Sequence, residues 1–184
     1  MTGIASKSQL RMSYLRFALF TVPLILLLGI ASGRASNSGY GNAWFDALVK
    51  PELMPPGAVF GIAWTTLYIL LGLSIAIILN ARGAKGRALA IGLFVLQMLL
   101  NFAWSPIFFG MHQVRLALFV LVAILAISIV VAILFARIRG AAAVLLIPYL
   151  AWLSFASILN YQIIQLNPEA ETLVPGQGGT DIIL

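Results

Sequence analysis

The charged residues of this chain are few and regularly spaced, leaving five uncharged stretches at 17–33, 53–81, 88–114, 116–136 and 140–168. Each reaches the length, about 17 to 25 residues, at which an apolar helix crosses a bilayer. Inside lipid a backbone N–H or C=O has no water partner, so each run must satisfy its own hydrogen bonds as a helix. Composition agrees: 62% of the 184 residues are hydrophobic and 9% charged, against roughly a quarter charged in a soluble domain. The spacing therefore predicts an all-α integral membrane protein, a five-transmembrane-helix bundle with spans near 17–33, 57–80, 88–110, 116–136 and 141–165. Residues 1–16 precede the membrane domain at 17–166, and 167–184 form an acidic tail expected to be flexible, since it opens with Asn167-Pro168 and is rich in Gly.

Lys7, Arg11 and Arg16 ahead of an apolar run ending in Ala31-Ser32-Gly33 also resemble a secretory signal. The run is longer than a usual signal core, and its removal would leave four spans with both ends on one side, so a retained first span is expected. The net charge of +6, which in a soluble chain would suggest nucleic acid, here reflects sorted loops. Lys7, Arg11, Arg16, Arg82, Lys85, Arg87, Arg137 and Arg139 fall on one side, eight in number, and Arg34, Lys50 and Arg115 on the other, three in number. The positive-inside rule then places the N-terminus in the cytoplasm and the first loop and C-terminus outside, with a bacterial inner membrane as the expected location. The first loop, 34–55, contains Trp44, Phe45, Pro51 and Pro55. Its apolar, proline-stiffened half is expected to pack as a lid on the bundle mouth, and its Gly-Ser-Asn half, 33–42, to be mobile.

The composition excludes several chemistries. There is no cysteine and one histidine, so thiolate sites, disulfides and a cluster of histidines are ruled out within one chain. No Asp, Glu, Lys or Arg lies in any expected span, although proton relays and ion-coupled carriers depend on such groups. His112 reads as a solvated turn residue, with no metal ligand at useful spacing.

What the spans do hold is amides and rings at helical spacing. Gln97 and Asn101 share a face with Trp104 and Ser105; Tyr149, Trp152, Ala156 and Asn160 form a second stripe; Gly57, Gly61, Trp64, Tyr68 and Gly72 form a third. At 1.5 Å per residue, Asn101, Trp104, Trp64 and Asn160 fall about 8 to 12 Å from the loop-bearing ends of their helices, and Trp152 lies deeper as a floor. An uncharged pocket with aromatic walls and a few amides suits a flat, mostly apolar ligand with polar edges. Plain alternatives stand beside this one. Trp104 is equally placed for an interfacial belt, the glycines for close helix packing, and the two asparagines for bonds between helices. Pro106 and Pro148 are expected to kink their spans, and Ala88-x-x-x-Gly92 offers a weak dimer face.

These residues also carry a family likeness. Trp44-Phe45-Asp46-Ala47-Leu48-Val49-Lys50-Pro51, Pro55-Pro56 and Trp64-Thr65-Thr66-Leu67-Tyr68 resemble the first-loop and second-span signature of the TspO/MBR family. Gln97-x-x-x-Asn101-x-x-Trp104-Ser105-Pro106-x-Phe108-Phe109-Gly110 continues the match, as does Pro148-Tyr149-x-x-Trp152-x-x-x-Ala156-x-x-Leu159-Asn160. The resemblance implies a five-helix bundle, often dimeric, that binds protoporphyrin IX and haem, benzodiazepine or isoquinoline ligands and, in some members, cholesterol. No cofactor is required; porphyrin or haem enters as ligand. Partners so implied are a hydrophobic small molecule, the bilayer and a second copy of the chain, with no nucleic acid.

The family pocket, closed by the first loop, would map onto Trp44, Pro51, Trp64, Gln97, Asn101, Trp104, Trp152, Ala156 and Asn160, to which the stripes add Tyr68 and Tyr149. A receptor or carrier in porphyrin homeostasis or stress sensing is the expectation, rather than an enzyme. Some members resemble light-dependent porphyrin-degrading proteins, a role Trp64 and Trp152 would carry here, and a regulatory scaffold with a vestigial pocket is the third reading. Two departures bear on this. Leu53 stands where the family often has an aromatic ring, and Tyr161 is followed by Gln162-Ile163-Ile164-Gln165 with no basic residue, which removes the sequence case for a sterol.

Overall fold

The computed structural model describes residues 7–174, with side chains from Met12 onward. Among them five helical segments are long and apolar enough to cross a membrane: Met12–Ala35, Gly57–Asn80, Arg87–Gly110, Val114–Ile138 and Gly140–Leu166. The first lies within α1 (Lys7–Ala35); α2 (Ala43–Ala47) is a short helix in the first loop; α3 (Gly57–Asn80), α4 (Arg87–Ser105) and α5 (Val114–Ile138) follow, and the last span is divided into α6 (Gly140–Val144) and α7 (Ile147–Leu166).

Leu71, Ile75 and Ile78 of α3 meet Phe94 and Met98 of α4, Ile124, Val131 and Phe135 of α5, and Leu146, Tyr149 and Leu153 at the start of the last helix, in one core. Large apolar residues on the outer faces, such as Leu19 and Phe119, are exposed, as expected where lipid is the solvent. Helix α1 contributes little to that core and attaches to α3 through small residues. A Cβ at Gly72 would lie 2.7 Å from the Val22 Cα, and Thr21 Oγ1 donates to the Gly72 carbonyl at 2.7 Å. Backbone approach of this kind replaces the hydrophobic drive that lipid cannot supply.

The prolines act differently from simple kinks. Pro106 has no N–H to offer the Phe102 carbonyl four residues earlier; the Ser32 hydroxyl of α1 donates to that carbonyl instead. Beyond Pro106 the helix widens into a π-helical turn, Pro106–Gly110, with the Met111 amide donating to the Pro106 carbonyl at 2.9 Å. Pro148 stands in the first turn of α7, where a missing N–H costs nothing, so the last span is broken at 145–146 rather than bent. At the opposite end from the first loop, the Arg87 guanidinium donates to the carbonyls of Ile78 and Leu79, each at 2.9 Å, capping α3 where its last carbonyls lack helical partners.

The first loop is an ordered lid. The Asn42 carboxamide caps α2 by accepting from the Phe45 amide at 3.1 Å, and Lys50 Nζ donates to the carbonyls of Phe45, Asp46 and Leu48 at its end. Within the Gly-Ser-Asn half of the loop, residues 36–42 form turns, with Asn37, Gly39 and Gly41 in the left-handed region and Ser38 Oγ 2.9 Å from Ser105 Oγ. Residues 167–174 lie against the lid and α5: Ala170 is buried beside Trp44, and Glu171 pairs with Arg115 at 3.0 Å. The remainder of the tail, 175–184, lies outside the described residues, as do residues 1–6 of the N-terminal segment.

Candidate functional site

A cavity of about 470 Å³ opens beneath the lid between α1, α3, α4 and α7, within the range of small-molecule sites. Three tryptophans wall it. Trp64 and Trp152 meet edge to face at 6.4 Å between centroids, while Trp104 stacks on Phe108 at 5.0 Å. Trp104 Nε1 donates to the Ala117 carbonyl at 3.1 Å; Trp152 Nε1 is buried with no partner among the described residues. Trp64 leans on Tyr68 with centroids 5.3 Å apart, and the Tyr68 ring lies where a Cβ of Gly29 would be, so glycine on α1 makes room for this wall.

The polar part of the wall ends a buried relay of hydrogen bonds. Tyr68 Oη donates to Asn101 Oδ1 at 3.0 Å, Asn101 Nδ2 donates to Tyr149 Oη at 3.0 Å, and Tyr149 Oη donates to Gln97 Oε1 at 2.9 Å. Ser128 Oγ of α5 adds a donor to the same Gln97 oxygen at 3.3 Å. Such chains are strong only when fully paired. Beyond these bonds Asn101, which lines the cavity, retains one N–H and one lone pair.

The cavity therefore gathers Trp64, Tyr68, Asn101, Trp104, Trp152 and Ala156 of the expected set. The other expected residues do not line it. Gln97 and Tyr149 are buried behind Asn101 and hold its carboxamide. Asn160 donates to the Val114 carbonyl at 3.1 Å, and its Oδ1 is buried with no partner among the described residues. Trp44 lies in a separate core under the lid, bonded through Nε1 to the Ala170 carbonyl at 2.8 Å, and Pro51 is buried in the lid's trailing arm. His112, expected to be solvated, stacks on Trp44 at 4.4 Å with φ 57°. Depth and helical face were not enough to separate walls from the groups behind them, because a stripe of residues turns out of view of the cavity within two turns.

Several lining residues escaped the sequence reading: Gly29, Ile30 and Gly33 of α1, Tyr40 and Phe45 of the lid, and Phe60. The Gly29-x-x-x-Gly33 spacing was the signal available for the first helix. The glycine stripe of α3 divides by role: Gly72 packs on Val22, Gly57 lies under Tyr40, and Gly61 faces open space in the cavity wall. Leu53 is exposed at 59% and is no part of the wall.

Electrostatically the wall is neutral: none of the residues lining the cavity is Asp, Glu, Lys, Arg or His. In the lid, burial lowers the Lys50 pKa from its ordinary value, opposed by the nearby Asp46 carboxylate.

Fold and site together define a class: polytopic helical membrane proteins with a lidded, uncharged aromatic cavity at one end. The chain belongs to the TspO/MBR family, whose pattern it matches over residues 21–166. It is similar to the tryptophan-rich protein TspO of Chlorobaculum tepidum, 41% identical over 149 residues that cover 80% of this chain and 93% of the relative. It is also similar to the translocator protein of Bos taurus, 36% identical over 146 residues covering 78% and 86%, and to protein CrtK of Rhodobacter capsulatus, 34% identical over 128 residues covering 69% and 80%. It is thus an integral membrane protein, and its relatives carry the names of translocator and sensory proteins.

Proposed function

We propose that the chain is a membrane-embedded receptor or carrier for tetrapyrroles, protoporphyrin IX and haem among them, and for related flat hydrophobic molecules, held in the cavity beneath the first loop. The observation that carries this is the neutral wall itself: Trp64, Trp152, Trp104 and Tyr68 around a single carboxamide, Asn101, which keeps one N–H and one lone pair beyond the relay. Aromatic faces stack on a planar macrocycle, and one amide orients it without charging the site. Trp64, Tyr68, Asn101, Trp104, Trp152 and Ala156 are the proposed contacts; Gln97 and Tyr149 position Asn101; Trp44 and Pro51 hold the lid, and Asn160 anchors α7 to α5. The first loop faces outward from a bacterial inner membrane, in keeping with the distribution of basic residues. The family likeness supports a homodimer, for which α4 offers exposed Ala88 and Gly92.

A titration of the detergent-purified protein with protoporphyrin IX in the dark, followed by tryptophan quenching, is the test. Saturable quenching that weakens in Asn101→Ala supports the reading; no saturation in a folded sample ends it. One observation favours a second reading, light-dependent porphyrin degradation: Trp152 Nε1 is buried beside Trp64 with no partner among the described residues, and the two are oxidisable rings at the wall. Illumination of the complex in air decides: loss of porphyrin absorbance that disappears in Trp152→Phe marks an enzyme, and stable absorbance marks a receptor or carrier.

A further inference from the structure

A ligand that carries carboxylates on one edge finds no counter-charge inside this cavity, so any cation that recognises such an edge has to stand at the mouth. The basic residues at the lid end are Arg34, Lys50 and Arg115. Lys50 Nζ is spent on three carbonyls at the end of α2. The Arg115 guanidinium is held by Glu171 and the Pro168 carbonyl, at 3.0 and 3.1 Å. Arg34 differs from both: it is exposed, and among the described residues its guanidinium has no hydrogen-bond or ion-pair partner. Acidic groups at this end are largely engaged as well, Asp46 with the Gly41 amide, Glu171 with Arg115 and Glu169 with Thr172.

The position of Arg34 relative to the cavity follows from the helix. Gly33 and Ile30 line the cavity, and Arg34 follows the first and stands one turn above the second. Ile30 is 45% exposed as well as lining, which makes it part of the cavity's open edge. Side chains on a helix lean toward its N-terminus, so a side chain at 34 reaches back over the turn that carries Ile30, toward that edge.

We propose that Arg34 is a specificity-determining residue, selecting flat apolar ligands with a carboxylate-bearing edge: the body enters the neutral cavity and the acidic edge stays at the mouth on the guanidinium, whose planar fork matches a carboxylate. The proposal rests on the tetrapyrrole reading above. An ion pair at a wet rim is worth little in absolute terms, so its effect is on choice between ligands and not on whether the cavity fills.

The test compares protoporphyrin IX with its dimethyl ester, which has the same ring and no carboxylate, on the full chain in a neutral maltoside detergent without lipid phosphate. The wild type is expected to prefer the acid by about three- to fivefold. Arg34→Gln is expected to abolish the preference while leaving ester affinity unchanged, and Arg34→Lys, which keeps the charge and loses the fork, to retain part of it. A preference that survives in Arg34→Gln overturns the proposal, as does a wild type that binds both equally. An equal loss for both ligands in Arg34→Gln overturns it too, and assigns Arg34 to folding or to membrane anchorage. If neither ligand saturates the wild type, the tetrapyrrole reading fails and takes this proposal with it, an outcome distinct from saturable binding without preference.

Discussion

The carboxamide of Asn167 donates to the Val49 carbonyl at 2.9 Å and accepts from the Val49 amide at 2.8 Å, pairing the lid to the start of the C-terminal segment as one strand pairs with another. Together with the Trp44 bond to the Ala170 carbonyl, this makes the residues after the last helix part of the closure over the bundle mouth.

Asn167→Ala is therefore expected to loosen the lid selectively, easing its local opening by about 1 to 3 kcal/mol through two lost hydrogen bonds. Hydrogen exchange at the Val49 amide and the Trp44 indole measures this. Unchanged exchange at both, with the mutant folded, would show that the lid is held by its apolar contacts alone.

Tyr149→Phe removes the hydroxyl that links Asn101 to Gln97, leaving the Asn101 N–H without its buried acceptor and Gln97 Oε1 with only the Ser128 donor. The expected result is a destabilisation of about 1 to 3 kcal/mol in a thermal melt in detergent, with weaker protoporphyrin quenching because Asn101 loses its orientation. Equal stability of mutant and wild type would argue that the relay adds nothing.

Two glycines with similar sequence settings should respond in opposite ways. Gly29→Ala puts a methyl into the space of the Tyr68 ring, and overpacking of this kind costs about 1 to 3 kcal/mol. A Cβ at Gly61 meets nothing within 4 Å and points from a residue of the cavity wall, so in Gly61→Leu the fold should be kept while the cavity is filled and affinity falls by about tenfold or more, equivalent to about 1.4 kcal/mol. Thermal melts and porphyrin titrations on the pair separate the two effects.

Arg115→Gln breaks an ion pair whose Arg115 side chain is 53% exposed, and exposed pairs contribute about 0 to 1 kcal/mol. A shift in melting temperature near the limit of detection is expected. A large loss would mean that the bonds from Arg115 to Pro168 and Glu171 fix the C-terminal segment more firmly than exposure suggests.

Much of the fold was legible because the bilayer allows so few solutions: runs without charge of sufficient length have to be helices, and α3 runs from Gly57 to Asn80, where the charge spacing placed it. The wall residues Trp64, Trp104, Asn101 and Trp152 were legible for a related reason, being rare polar or aromatic groups on otherwise aliphatic helices. What escaped was whatever depends on partners distant in sequence. Nothing local in Asn167 or Ala170 announces that they bond to Val49 and Trp44, 118 and 126 residues away. Nor could spacing tell that Gln97, one turn before Asn101, is buried at 1% exposure behind it. The contribution of α1 was masked because a helix that meets its neighbour through glycine carries almost no hydrophobic periodicity.

The bond from Ser32 to the Phe102 carbonyl has a wider meaning for how the bundle assembles. In lipid a greasy helix slides and rotates past its neighbours with little change in energy, and α1 buries few residues that would stop it. By omitting one N–H, Pro106 leaves an unanswered acceptor at a single height and bearing on α4, and Ser32 is the group that answers it. A gap in one helix thus serves as a docking coordinate for another, fixing where Gly29, Ile30 and Gly33 come to rest and, with them, the shape of the chamber they help enclose.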